Sequence, residues 1–202
     1  MGAVFSLLYG LLFRSARKYK VVVVGLDNAG KTTALYRLQL GEVVCTTPTV
    51  GANVEEVTFQ NVRFECWDLG GQHTLRLSWD AYFKETDAVI LVVDSTDRLR
   101  ATLVKLELQR LLESEDLAQA AVLVFANKQD LKDAMSVPEL TDALGLQSEK
   151  QHSWHVQPSC SLTGEGLHDG LAWLVGQVTK GSAQAAALAP RVSAGGYTAV
   201  PT

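Results

Sequence analysis

"KVVVVGLDNAGKTTALYRLQLGE", residues 20–42, opens with four consecutive valines and then breaks into two glycines, a lysine and two threonines. The β-branched run over residues 20–25 has the pattern of a parallel strand buried on both faces. "KTTALYRLQLGE" reads as a helix that starts near Gly30. The loop between them therefore joins a strand to a helix. Its spacing, Gly25 and Gly30 with four residues between and then Lys31-Thr32, is that of a Walker A loop. Glycines let backbone N–H groups turn inward and cradle phosphate oxygens. The positive end of the following helix points at the same place. Lys31 adds a full charge, and the Thr32 hydroxyl can ligate Mg²⁺.

Working outward, "NVEEVTFQ" (53–60) and "VRFECWDLG" (62–70) read as two short strands joined by a tight hairpin at Gln60-Asn61. Val54, Val57 and Phe59, then Val62, Phe64 and Cys66, are their expected inward positions. "AVILVVDS" (88–95) and "AVLVFANK" (121–128) are two more buried strands. "HVQPSC" (155–160) is a weaker sixth strand, and Pro158 favours an edge place for it. Helices are expected over about 97–114, 137–144 and 166–179. Strand and helix alternate, so the fold class is α/β with a mostly parallel six-stranded sheet, helices on both faces and one antiparallel hairpin. Ligands bind such sheets beyond the carboxyl ends of the strands, where every motif below falls.

The bulk numbers narrow the choices. The chain has 202 residues, 47% of them hydrophobic and 20% charged, enough for one good core and short for two. A net charge of −4 gives no electrostatic footprint for nucleic acid. Cys45, Cys66 and Cys160 are scattered and read as reduced thiols in a cytosolic protein, with no ligand spacing to the four histidines. No apolar run reaches the ~20 residues of a transmembrane helix.

Base choice is written elsewhere. "NKQD" places Asn127, Lys128 and Asp130 at the end of the 121–127 strand. A carboxylate at Asp130 can accept two N–H bonds from the Watson–Crick edge of guanine. Adenine would leave that charge badly paired, a rejection on the order of 10⁴-fold. "WDLGGQ" ends the second hairpin strand. Asp68 can reach Mg²⁺ through water, the Gly71 amide can bond a γ-phosphate, and Gln72 is placed to orient an attacking water. In "TPTVG", the Thr49 hydroxyl can complete the Mg²⁺ shell. His73, next to Gln72, reads as exposed surface rather than as a general base.

The order GLDNAGKT, PTVG, WDLGGQ, NKQD, SCSLTGEGL resembles that of small GTPases. The wording of WDLGGQ and NKQD resembles the Arf and Arf-like group. "NVEE", "DSTDR", "FANKQD" and "LTGEGL" look most like its fifth Arf-like subgroup. The resemblance spans roughly residues 1–179. It implies a small G-domain over 18–179 that binds GTP or GDP with Mg²⁺. Residues 27–33 would hold phosphates, Thr32 and Thr49 the metal, and Asn127, Lys128 and Asp130 guanine. Cys160, Ser161 and Leu162 fall in the family's base-contacting loop. Many members have alanine at Ser161, and a backbone N–H contact survives that change. Members of the Arf group proper have phenylalanine where Ala52 stands, while Trp67 and Tyr82 remain; this departure sets the chain apart from the main Arf partners and exchange factors.

"MGAVFSLLYGLLF" begins with a pattern for myristoylation of Gly2 and continues as an apolar helix over 3–13, within an amphipathic N-terminal segment of residues 1–17. One myristoyl chain binds membranes marginally, so the helix and its basic exit, Arg14, Arg17, Lys18 and Lys20, are the expected second signal. In Arf-type proteins the hairpin slides by two residues on GTP binding and displaces that helix; a two-residue slip keeps each side chain on its own face. From Lys180 to Thr202 the chain reads as a disordered Ala/Gly-rich tail, with a marginal alanine helix at 183–189 as the alternative.

Two functions fit. One is a monomeric switch with slow hydrolysis through Gln72, no cis arginine finger, and effectors gathered on a membrane, the Golgi by resemblance. Such a switch needs an exchange factor and a GTPase-activating protein. The other is a non-cycling scaffold that holds its nucleotide permanently. An ATP-using kinase lacks support, because Asp130 argues for guanine and no substrate lid is present.

Overall fold

The computed structural model describes residues 18–42 and 46–188, with side chains through Lys180. The expected N-terminal helix, Gly2 and Cys45 lie outside the described residues, as do residues 189–202.

Six strands form one sheet in the order β2-β3-β1-β4-β5-β6. They are β1 (Lys18–Val24), β2 (Ala52–Phe59), β3 (Val62–Leu69), β4 (Ala88–Asp94), β5 (Ala121–Asn127) and β6 (Trp154–Pro158). Among the described residues, only the β2–β3 pair is antiparallel. The expected α/β class holds, and β6 lies at an edge as Pro158 suggested.

The valine run is buried on both faces because the sheet is covered on both. Val22 and Val24 of β1, with Val89, Leu91 and Val93 of β4, enter one core. Val21 and Val23, with Ile90 and Val92, enter the other. Helices α3 (Ala101–Leu112) and α4 (Val137–Leu144) close the first core through Val104, Leu108, Leu140 and Leu144. Helices α1 (Lys31–Leu40) and α5 (Leu167–Leu188) close the second through Ala34, Leu35, Leu167, Leu171 and Leu174. The short α2 (His73–Arg76) follows β3.

Phe59 pairs with Val62 across a two-residue turn, with Gln60 at φ 48° and Asn61 at φ 63°. That left-handed pair is what a tight hairpin requires.

Three expectations are corrected. Val54 does not face the buried side with Val57. Three positions separate them, an odd number, so a period of two puts them on opposite faces. Val57 is buried opposite Phe64, whereas Val54 lies opposite Trp67 and is 44% exposed. The helix expected over 97–114 is a 3₁₀ turn (Arg98–Arg100) leading into α3, because the Asp97 carboxylate accepts from the Arg100 N–H and tightens the first turn. The expected disordered tail begins too early, since α5 runs on to Leu188. A helix already packed through Leu171, Leu174 and Val178 needs no new nucleus to extend.

Candidate functional site

The carboxyl ends of β1, β3, β4 and β5 carry Gly25, Asp68, Asp94 and Asn127 respectively. Between the Walker loop and the segment ahead of β2 lies a cleft of about 480 Å³. Of the residues expected from sequence, Asp27, Asn28, Gly30, Lys31, Thr32, Thr33, Thr49, Gly71 and Gln72 line it, joined by Thr46, Thr47 and Pro48. Ala29 is buried behind it, 1% exposed.

The glycines are sterically required. Gly25 has φ +141°, and a Cβ there would strike the Val92 carbonyl. Gly30 has φ +95°, and a Cβ would strike the Asn127 amide. Gly71 lies against the main chain of Gly25, Leu26 and Asp27, where a side chain has no room.

Three oxygens converge at the inner end. The Thr32 and Thr49 hydroxyls lie 3.1 Å apart, and they donate to Asp68 Oδ2 over 2.5 and 3.2 Å respectively. Asp68 is fully buried, and its Oδ1 meets no donor among the described residues. Burial pushes its carboxyl up, against the lowering effects of Thr32 and Lys31. Two hydroxyls beside a buried carboxylate with a free oxygen fit Mg²⁺, a hard cation that takes oxygen ligands. The Lys31 ammonium is buried, donates to the Leu26 carbonyl at 3.0 Å, and is pushed down by that burial. A buried cation of this kind calls for an anion.

The base end is organised by Asn127, which is 2% exposed. Its Nδ2 donates to the Ala29 carbonyl at 2.8 Å, tying the base loop to the Walker loop. Its Oδ1 accepts from the Ser161 N–H at 2.9 Å and the Ser161 hydroxyl at 3.0 Å. So Ser161 gives more than the backbone contact expected of it. Cys160 is buried, Asp130 is exposed, and Leu162 is 58% exposed. Gln72 and His73 are exposed at the start of α2. Trp67 and Tyr82 pack with ring centroids 5.8 Å apart, and Ala52 joins the same cluster.

Four functional neighbours escaped the sequence reading. Asp94 pairs with Lys128, Arg100 Nη1 lies 2.9 Å from Asp27 Oδ1, and Arg76 pairs with Glu107. Arg100 sits on the Walker loop, bound to Asp27 and Asp97, a placement that the sequence alone did not show. "DSTDR" was the available signal, since Asp94, Asp97 and Arg100 lie in or next to it.

The sequence profile of the ADP-ribosylation factor family matches residues 5–178. The chain is 53% identical over 178 residues to ADP-ribosylation factor-like protein 5 of Dictyostelium discoideum, spanning 88% of this chain and 97% of that one. It is 50% identical over 178 residues to ADP-ribosylation factor-like protein 5A of Homo sapiens, spanning 88% and 98%. Among solved structures it resembles the Arl6 BBS3 small GTPase from Trypanosoma brucei with bound nucleotide analogue GppNp. That likeness has a TM-score of 0.76 at 37% identity and covers 81% of this chain and 99% of the other. With a phosphate loop, an oxygen set for Mg²⁺ and a guanine-reading loop on one sheet edge, the chain belongs to the ADP-ribosylation factor family and is an Arf-like small GTPase that binds GTP and GDP with Mg²⁺ and hydrolyses GTP.

Proposed function

We propose that this GTPase is a cycling switch whose GTP form gathers effector proteins on an intracellular membrane, the Golgi by its resemblance to the fifth Arf-like subgroup. The observation that carries this reading is Thr49. It lies on the segment ahead of β2, yet its hydroxyl reaches Asp68 Oδ2 at 3.2 Å beside Thr32. A group on a separate segment that joins the metal shell reports whether a γ-phosphate is present. A permanent scaffold has no need of such a sensor.

In this mechanism the Walker amides and Lys31 hold the phosphates. Lys128, Asp130 and the 160–162 loop hold guanine, with Asn127 bracing the two loops. Thr32, Thr49 and, through water, Asp68 would hold Mg²⁺, which would supply neutralising charge to the phosphates. The Gly71 N–H faces the γ-phosphate, and Gln72 orients the water. Exchange and activating proteins set the cycle.

Membrane coupling is assigned to myristoylated Gly2, the 3–13 helix and the β2–β3 hairpin. Lys18 now faces Arg63 and Val23 faces Asp68 across β1 and β3. A two-residue slip would leave Phe64 and Cys66 on the buried face. Flotation of the myristoylated full chain with liposomes tests this. Flotation with a GTP analogue but not with GDP, lost in Gly2→Ala, is expected. Equal flotation in both states would replace the switch with a constitutive anchor.

A further inference from the structure

Arg76 is a charged side chain that the steps above do not use, and it is only 5% exposed. Its guanidinium serves two groups. Nη1 donates to the Gly71 carbonyl at 2.9 Å, and Nε donates to Glu107 Oε1 on α3 at 2.7 Å. Glu107 is itself only 15% exposed, so solvent competes little for the pair. The peptide before it is held as well: Trp79 is buried, and its Nε1 donates to the Gly70 carbonyl at 3.1 Å. In a trans peptide the N–H points opposite to the C=O. Fixing the Gly70 carbonyl toward Trp79 therefore aims the Gly71 N–H away from it. Fixing the Gly71 carbonyl toward Arg76 sets the next peptide, which leads into Gln72. On its other side Gly71 rests on the Walker loop main chain.

We infer that Arg76 and Glu107 are positioning residues: with Trp79 they form a buried clamp that fastens the two glycine peptides to α3, so that the Gly71 N–H and Gln72 are set for a γ-phosphate and its attacking water. A second tie at the surface, Arg110 to Asp80, joins α3 to the turn that carries Trp79, with those side chains 39% and 60% exposed. Solvent competes for that pair, so the buried one holds the geometry. GDP has no γ-phosphate to meet the Gly71 N–H. The clamp therefore acts on GTP affinity and hydrolysis and leaves GDP binding untouched.

The inference rests on the switch reading above, and one experiment separates the two. The full chain with Mg²⁺ is titrated with fluorescent GDP and GppNp, and single-turnover GTP hydrolysis is followed, in wild type, Glu107→Gln and Trp79→Phe. Glu107→Gln is expected to lower the GppNp-to-GDP affinity ratio and the hydrolysis rate about tenfold each, with GDP affinity unchanged. Trp79→Phe, which removes the donor and keeps an aromatic ring in the core, is expected to move both in the same direction. Should Glu107→Gln not fold, Trp79→Phe decides alone. Wild-type ratio and rate in the folded variants, or equal loss of both nucleotides, would overturn the clamp and leave the switch standing. A wild-type protein whose tryptophan emission is the same with GDP and GppNp would overturn both.

Discussion

The Lys128 ammonium lies 2.6 Å from a carboxylate oxygen of Asp94, across the adjacent ends of β5 and β4. Lys128 takes a left-handed φ of 66°, and Asp94 also accepts from the Thr96 N–H and hydroxyl at 3.0 and 2.7 Å. The guanine loop is thus pinned to its neighbouring strand before any base arrives.

That pair has a pH signature. Burial pushes the Asp94 carboxyl up, but hydrogen bonds from Lys128 and Thr96 outweigh it and hold the group below the usual range. A carboxyl lowered by folding stabilises the protein above its unfolded value, about 4, and that stability disappears as pH falls through the lower folded value. Asp94→Asn is expected to cost about 1–3 kcal/mol at neutral pH and to converge with wild type in strong acid. Urea melts across that pH range check it; a gap that stays constant into acid refutes the linkage.

Ser161→Ala removes the hydroxyl that donates to Asn127 Oδ1 and keeps the N–H that does the same. One hydrogen bond of about 1 kcal/mol corresponds to several-fold faster release of labelled GDP. Ser161→Thr, which keeps the donor, is expected to be nearer wild type. Identical dissociation rates for all three would mean the hydroxyl is idle.

The two β2 valines test the hairpin face. Val57→Ala opens a hole beside Phe64 and is expected to destabilise by about 2 kcal/mol. Val54→Ala on the exposed face stays within about 0.5 kcal/mol. Thermal melts of the GDP form decide it; equal losses would mean that Val54 shares the buried face after all.

Gln72→Leu is expected to slow phosphate release from GTP at least about tenfold, because it removes the amide that orients the attacking water, with GDP and GppNp affinities retained. A variant that hydrolyses at the wild-type rate would move the water-orienting role to another residue.

Much of this protein is legible locally. The valine run, the glycine spacing and the Gln60-Asn61 turn each depend on contacts or dihedral limits within a few residues, so period and steric rules suffice for them. The Walker loop needs glycine because its own backbone demands positive φ. The face of Val54 is not legible in this way, because the three apolar residues of 53–60 break strict alternation, and only the pairing with Trp67 shows it.

The sequence by itself determined the sheet class, the phosphate loop, the hard-oxygen set and the base-reading motif, because each is a short pattern whose chemistry is complete in its own residues. Only the tertiary structure decided how they are braced. Asp94 meets Lys128 at a separation of 34 residues, Arg76 meets Glu107 at 31, and Asn127 meets Ala29 at 98. At such separations no local period applies, and an ordinary arginine or glutamate carries no mark of its partner. Burial selects the pair, because a charge taken out of water must find its opposite wherever the fold delivers it.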